Sequence, residues 1–175
     1  MSPNGITALS WAARAGNEGL VRLLLERKAD FNAEVKSYFH GRTTALHVAA
    51  VSGHWMVVVQ LLLEHEADID MKSSRGKTAL HMAAMNEHGA VVRLLLENIA
   101  NVDSKDKYGL TPLFSAVENS HEAVVQLLFE NGANVDSQKP LLTAFKRYPE
   151  FQPRLTGQAT NNSVYFQVQI LFFKS

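Results

Sequence analysis

Thr7-Ala-Leu-Ser10, Thr44-Ala-Leu-His47, Thr78-Ala-Leu-His81 and Thr111-Pro-Leu-Phe114 are four versions of one phrase, set 37, 34 and 33 residues apart. Spacing this regular marks a repeat architecture in which each unit is one small supersecondary element. A pair of small residues follows each phrase: Ala12-Ala13, Ala49-Ala50, Ala83-Ala84 and Ala116-Val117. Next comes an apolar triplet, Leu23-Leu24-Leu25, Leu61-Leu62-Leu63, Leu94-Leu95-Leu96 or Leu127-Leu128-Phe129. Each unit closes on Ala29-Asp30, Ala67-Asp68, Ala100-Asn101 or Ala133-Asn134, residue types that leave a helix and enter a turn. Two short helices per unit follow.

Threonine suits the first position because its hydroxyl can cap free N–H groups, and Pro112 fits the next with its preset φ. The alanine pairs keep the first helix thin, so a neighbouring unit can approach closely. A single leucine triplet is too short to form a core alone. Its apolar face must be covered by the next unit, which is the physical basis of a solenoid.

At these residues the chain resembles the ankyrin repeat family, whose pattern runs roughly Asp-x-x-Gly-x-Thr-Pro-Leu-His-x-Ala-Ala, then Gly-His, Val-Val, Leu-Leu-Leu and Gly-Ala-Asp. The likeness covers residues 4–136, as repeats at about 4–36, 40–71, 74–104 and 106–136. It implies an all-α solenoid of stacked antiparallel helix pairs joined by hairpin-like fingers. Lys28, Glu66 and Ile99 stand where the family has the glycine that ends the second helix, and only Gly132 keeps it. A non-glycine residue in the left-handed region costs on the order of 1 kcal/mol. Glu87 and Ser120 likewise replace the glycine of the helix–helix turn held by Gly16 and Gly53, with Asn86 and Asn119 placed to adjust it. Repeat two carries one extra residue in Trp55-Met-Val-Val-Val59. The connection from Ala29 to Thr44 is four residues longer than the other two, so the finger Glu34 to Arg42 is expected to be irregular. Residues 137–146 read as a truncated fifth-repeat helix, and residues 147–175 as a poorly ordered tail ending in the apolar run Val164 to Phe173.

With 46% hydrophobic residues in 175, the chain can bury a core unaided. It contains no cysteine, so disulfides and thiolate metal sites are excluded, and the cytoplasm or nucleus is the expected compartment. Seventeen basic residues balance seventeen acidic ones, which argues against a nucleic-acid or membrane partner and leaves attraction to local patches. The apolar run Val164 to Phe173 is about half a membrane span in length. A monomer is expected.

No catalytic constellation is legible, so the chain is expected not to be an enzyme and to need no cofactor. Arg75-Gly76-Lys77-Thr78 resembles the end of a phosphate-binding loop, but Met71 occupies the place of its first glycine. His65-Glu66 and His121-Glu122 lack the second histidine of a zinc helix, with Ile69 and Val125 in its place. His47 and His81 fall on the family's Thr-Pro-Leu-His position, and His54, His88 and His121 on its Gly-His position. The resemblance implies that these imidazoles make hydrogen bonds within and between repeats, and no metal is expected. His40 and His65 have no assignment, and Asn161-Asn-Ser163 is a glycosylation pattern without a secretory context.

The resemblance implies a non-catalytic protein–protein interaction scaffold that meets its partner with finger tips and the exposed side of the first helices. Carried onto this chain, that surface comprises Arg14, Val51, Arg75, Lys77, Met85, Asn86, Lys107, Tyr108, Leu110 and Glu118, flanked by Ile6, Ala15, His40, Thr43, Ser52 and Asn119. Lys72, Arg75, Lys77, Lys105 and Lys107 crowd two consecutive fingers, with Asp70, Asp103 and Asp106 as the nearby opposing charges. An acidic segment on a partner protein would complement them. Tyr108 beside Leu110 and Met85 is the expected anchor, because aromatic and methionine side chains favour interface cores. The alternative reading is a regulatory or targeting fragment of a larger enzyme or signalling protein.

Overall fold

The computed structural model describes residues 7–37, 41–53 and 56–134. The expectations for Ile6, His40, His54, Trp55, the truncated fifth-repeat helix at 137–146 and the tail at 147–175 lie outside the described residues.

The four threonine phrases open four helices: α1 (Ala8–Ala15), α3 (Ala45–Ser52), α5 (Ala79–Met85) and α7 (Pro112–Glu118). The leucine triplets lie in α2 (Glu18–Glu26), α4 (Met56–Glu64), α6 (Gly89–Glu97) and α8 (Glu122–Glu130). Thr7 and Thr111 cap as expected, their hydroxyls accepting from Ser10 N at 3.1 Å and Phe114 N at 3.4 Å. Thr44 and Thr78 are stiffened further, because Nδ1 of His47 and of His81 turns back to accept the threonine N–H at 3.2 Å.

First helices stack on first helices, and second helices on second helices, in chain order. The alanine pairs make this possible. Ala13, Ala49, Ala50, Ala83, Ala84 and Ala116 are fully buried, as are Leu62, Leu95 and Leu128 from the triplets. Each such leucine contributes about 1.5–3 kcal/mol by leaving water. The core is a continuous seam between the two helical layers, with no unit closed on itself.

All five substitutions of expected glycines adopt the glycine conformation. Lys28, Glu66 and Ile99 have φ of 60°, 63° and 65°, and Glu87 and Ser120 have 62° and 61°. The cause is visible at each helix end: Ala29, Ala67 and Ala100 donate back to Leu24, Leu62 and Leu95 at 2.9, 3.0 and 3.0 Å. That closing bond needs a left-handed residue just before it. Asn86 and Asn119 are the C-caps directly before these turns, and their side-chain amides donate to the carbonyls of Met82 and Ser115, four residues back, at 2.7 and 2.8 Å.

The long first finger corrects a second expectation, because it is regular at its base. β1 (Val35–Ser37) and β2 (Gly41–Thr43) pair antiparallel, with Val35 opposite Thr43 and Ser37 opposite Gly41. Val35 and Thr43 are buried, Glu34 and Arg42 form an ion pair at 2.6 Å, and the next finger holds the outer edge of β2. There Arg42 N donates to Ser74 Oγ at 2.8 Å and Ser74 N donates to Arg42 O at 3.0 Å. The four extra residues therefore extend a ladder.

Candidate protein-binding face

Successive fingers are tied by an acceptor ladder that recurs at the repeat spacing. Oδ1 of Asn32, Asp70 and Asp103 accepts from the backbone N–H of Asp68, Asn101 and Asn134 at 3.1, 3.0 and 3.0 Å. Asp70 and Asp103 are thus structural acceptors as well as charges near the lysines. The second ladder is made by imidazoles. His47 Nε2 meets Lys77 O at 2.9 Å and His81 Nε2 meets Leu110 O at 3.0 Å, while His88 and His121 reach Val51 O and Met85 O at 2.7 and 2.9 Å. In His81, Nδ1 accepts a backbone N–H, so Nε2 carries the proton and donates. Burial pushes its pKa down to about 4, opposed by the Leu110 carbonyl and assisted by Lys77. Gly53 is required beside His88, since any Cβ there would fall inside the imidazole.

These ladders place the expected binding residues in two groups. Val51, Lys77, Met85 and Leu110 are half-buried and each supplies a carbonyl to a histidine of the clamps. Lys77 is more deeply committed than its sequence suggests. Its side chain is 14% exposed, and its Nζ stands 4.0 Å from Oδ2 of Asp106, a carboxylate with no exposure. Oδ1 of Asp106 accepts from Tyr108 N and Leu110 N at 2.8 and 2.9 Å, whereas Oδ2 has no hydrogen-bond partner. Lys77 is therefore a counter-ion of the fold, and a glutamate there would oppose a buried carboxylate.

Arg14, Arg75, Lys107, Tyr108 and Glu118 form the second group, exposed to solvent, while Asn86 is half-buried. Arg75 and Lys107 come from consecutive fingers locked by Lys107 N donating to Arg75 O at 3.1 Å. A side chain at Gly76 would strike the Lys107 backbone, and its φ of 73° favours glycine. Tyr108 is 61% exposed, and Lys107 Nζ lies 4.8 Å from its ring centroid, a cation–π contact that orients both. Arg14 and Glu118 lie on α1 and α7, three units apart. Lys72 joins the structural set, its Nζ donating to Lys105 O at 2.9 Å. Arg75, Lys105, Lys107 and Tyr108 are exposed together on two consecutive fingers. Among the described residues no group of three or more histidine, aspartate or glutamate side chains could hold a metal ion.

The profile of ankyrin repeats in three copies matches residues 1–73 and again 57–139. The chain belongs to the ankyrin repeat family. Ankyrin repeats are protein-interaction modules, and the fold itself is a non-catalytic interaction domain. Relatives include inversin of Gallus gallus, 41% identical over 66 residues that make up 38% of this chain and 6% of that protein. The B-cell lymphoma 3 protein homolog of Mus musculus is 42% identical over 81 residues, 46% of this chain and 17% of the relative. A probable E3 ubiquitin-protein ligase of Oryza sativa, XBOS32, is 40% identical over 82 residues, 46% of this chain and 16% of the relative. The ankyrin chain thus spans less than a fifth of each of these relatives. Among the described residues no helix is long and apolar enough to cross a membrane.

Proposed function

We propose that this ankyrin array binds an acidic segment of another protein at the tips of its second and third fingers, with Tyr108 as anchor. The supporting observation is the tip itself: Lys107 lies against the exposed phenol of Tyr108, Arg75 and Lys105 are exposed on the same two fingers, and the finger backbones are joined by Lys107 N donating to Arg75 O. Lys77 and Lys72 are excluded as primary contacts, because both are engaged within the fold. Electrostatic complementarity of this kind chiefly sets association rate and choice of partner.

Titration of the full chain with a fluorescent glutamate-rich peptide tests the reading. Tyr108→Ala is expected to weaken binding by roughly 1–3 kcal/mol without loss of thermal stability, as for an interface anchor. Lys107→Glu is expected to slow association, with the deficit shrinking as salt rises. Unchanged affinity in Tyr108→Ala and Lys107→Glu would move the site off the finger tips.

A second reading has its own support. The matched relatives are far longer than the matched segment, and one of them is named as a ubiquitin ligase. On this reading the array is the targeting or regulatory part of a larger enzyme or signalling protein. Mass measurement of the native protein decides it, a mass near 19.4 kDa arguing against the reading and a several-fold larger one supporting it.

A further inference from the structure

Ser74 is the only exposed serine or threonine among the described residues whose burial is defined. The others are withdrawn: Ser10, Ser73, Ser104, Ser115, Thr43, Thr44, Thr78 and Thr111 are buried, and Thr7, Ser52 and Ser120 are half-buried. Ser74 also sits in the most cationic stretch of the chain, Lys72-Ser-Ser-Arg75-Gly-Lys77, with Arg42 of β2 touching it from the neighbouring finger. Its hydroxyl oxygen accepts from Arg42 N and is not itself seen donating. A Cβ at Gly41 would lie 3.0 Å from Ser74 Cβ, so the hairpin closes one side of this serine and leaves the solvent side open.

We propose that Ser74 is a phosphorylation site whose phosphate offsets most of the positive charge of the finger tips and releases an acidic partner. The proposal rests on the partner class given above. The donor is ATP and the agent a kinase that selects basic flanks. Ser74 Oγ bonds to the γ-phosphorus, the bond from that phosphorus to ADP breaks, and the hydroxyl proton leaves to the kinase base. Ser73 to Gly76 forms a turn, with Gly76 N donating to Ser73 O at 2.7 Å, and entry into a kinase groove requires this bond and that of Ser74 N to Arg42 O to open. Loop tips are where such local opening costs least.

The product carries about −1.5 to −2 charges at neutral pH on oxygens that Arg guanidinium forks match in geometry. Arg42, now paired with Glu34, and Arg75 are the nearest such forks along the chain and across the finger contact. Their engagement by an internal phosphate removes from the tip the charges that an acidic segment would use. The repeat register sharpens the argument, because Ser74 occupies the position that Lys107 holds in the next finger.

The test uses the full chain, ATP and a basophilic serine kinase, with peptide mapping by mass spectrometry and a control peptide to show that the kinase is active. One phosphate on Ser74, absent in Ser74→Ala, is expected. An unmodified Ser74 after the control is consumed, or phosphate only on other serines or threonines, overturns the site. Binding of the glutamate-rich peptide is then compared, and phosphorylation is expected to weaken it by at least about tenfold, with Ser74→Ala binding as the unmodified chain does. Equal binding before and after phosphorylation overturns the regulation. Equal weakening in Ser74→Ala would assign the effect to the lost bond with Arg42 and overturn the charge mechanism. If the unmodified chain fails to bind the peptide, the acidic-partner reading falls with the regulation, and the mapped phosphate alone decides the site.

Discussion

Repeat one and repeat three open on nearly the same words, Thr7-Ala-Leu-Ser-Trp-Ala-Ala13 and Thr78-Ala-Leu-His-Met-Ala-Ala84, and both end their second helix in Leu-Leu-Leu-Glu. Their burial is different. Trp11 is 64% exposed where its equivalent Met82 is fully buried, and Leu20 is 39% exposed where Val91 is fully buried. Repeat three packs between two neighbours, while among the described residues nothing packs on the outer side of repeat one. The same apolar pattern is core in one place and surface in the other. In a one-dimensional array, stability belongs to the interfaces between units as much as to the units.

The largest expected contrast comes from equivalent leucines. Leu95→Ala in repeat three removes a fully buried side chain and is expected to cost about 3–5 kcal/mol, whereas Leu24→Ala in half-covered repeat one is expected to cost about half that or less. Urea titration of both variants measures the gap. Equal costs would break the comparison and show that the outer side of repeat one is covered in solution.

Repeat three also carries a pH dependence that repeat one lacks, since Ser10 stands where His81 does. The His81 pKa falls from 6.5 to about 4 on folding, because burial disfavours the imidazolium. Between those values the unfolded chain holds the extra proton. The stabilising contribution is therefore complete above pH 6.5 and is lost as pH falls towards 4, on the order of 3 kcal/mol. His81→Gln is expected to be less stable at pH 7.5 and to show a shallower acid dependence across this window. A slope equal to that of the unmodified chain would assign the acid sensitivity elsewhere.

Fingers allow the same contrast on a smaller scale. Ser73 occupies the place that Asp106 holds one repeat later, and its hydroxyl accepts only from Lys77 N at 3.2 Å, where Asp106 Oδ1 accepts two N–H groups. Thr43, the equivalent of Lys77, has a buried hydroxyl with no partner. Ser73→Asp is expected to satisfy both and to stabilise by about 1 kcal/mol, read as a rise in melting temperature. A fall would mean that the added carboxylate is not met by Thr43.

The smallest effect concerns strain. Ile99, β-branched and 88% exposed at φ 65°, is expected to gain up to about 1 kcal/mol on replacement by glycine, and Lys28 at φ 60° in repeat one somewhat less. Equal gains at the two positions would show that the strain is purely local and independent of place in the stack.

Helix number, helix order and the family were all legible in the sequence, because each depends on periodic, local signals: threonine at a helix start, paired alanines and a leucine triplet. The strained positions Lys28, Glu66, Glu87, Ile99 and Ser120 were legible for the same reason, since the closing bond of a helix end demands its conformation from whichever residue stands there. Of the proposed binding face, Tyr108, Arg75 and Lys107 could be picked out as exposed loop residues. The commitment of Lys77 to Asp106, of Lys72 to Lys105, and of Asp70 and Asp103 to the finger ladder could not. Charge along the chain does not distinguish a solvated lysine from one that answers a carboxylate 29 residues away. That distinction is made by packing, which brings one finger within a few ångströms of the next and withdraws water from Asp106. Sequence by itself determined the unit and its repetition, because those forces act over one or two helical turns. The tertiary structure decided which copies of the unit are core, which charges are spent inside the fold and which remain for a partner, because those depend on contacts between residues a full repeat apart.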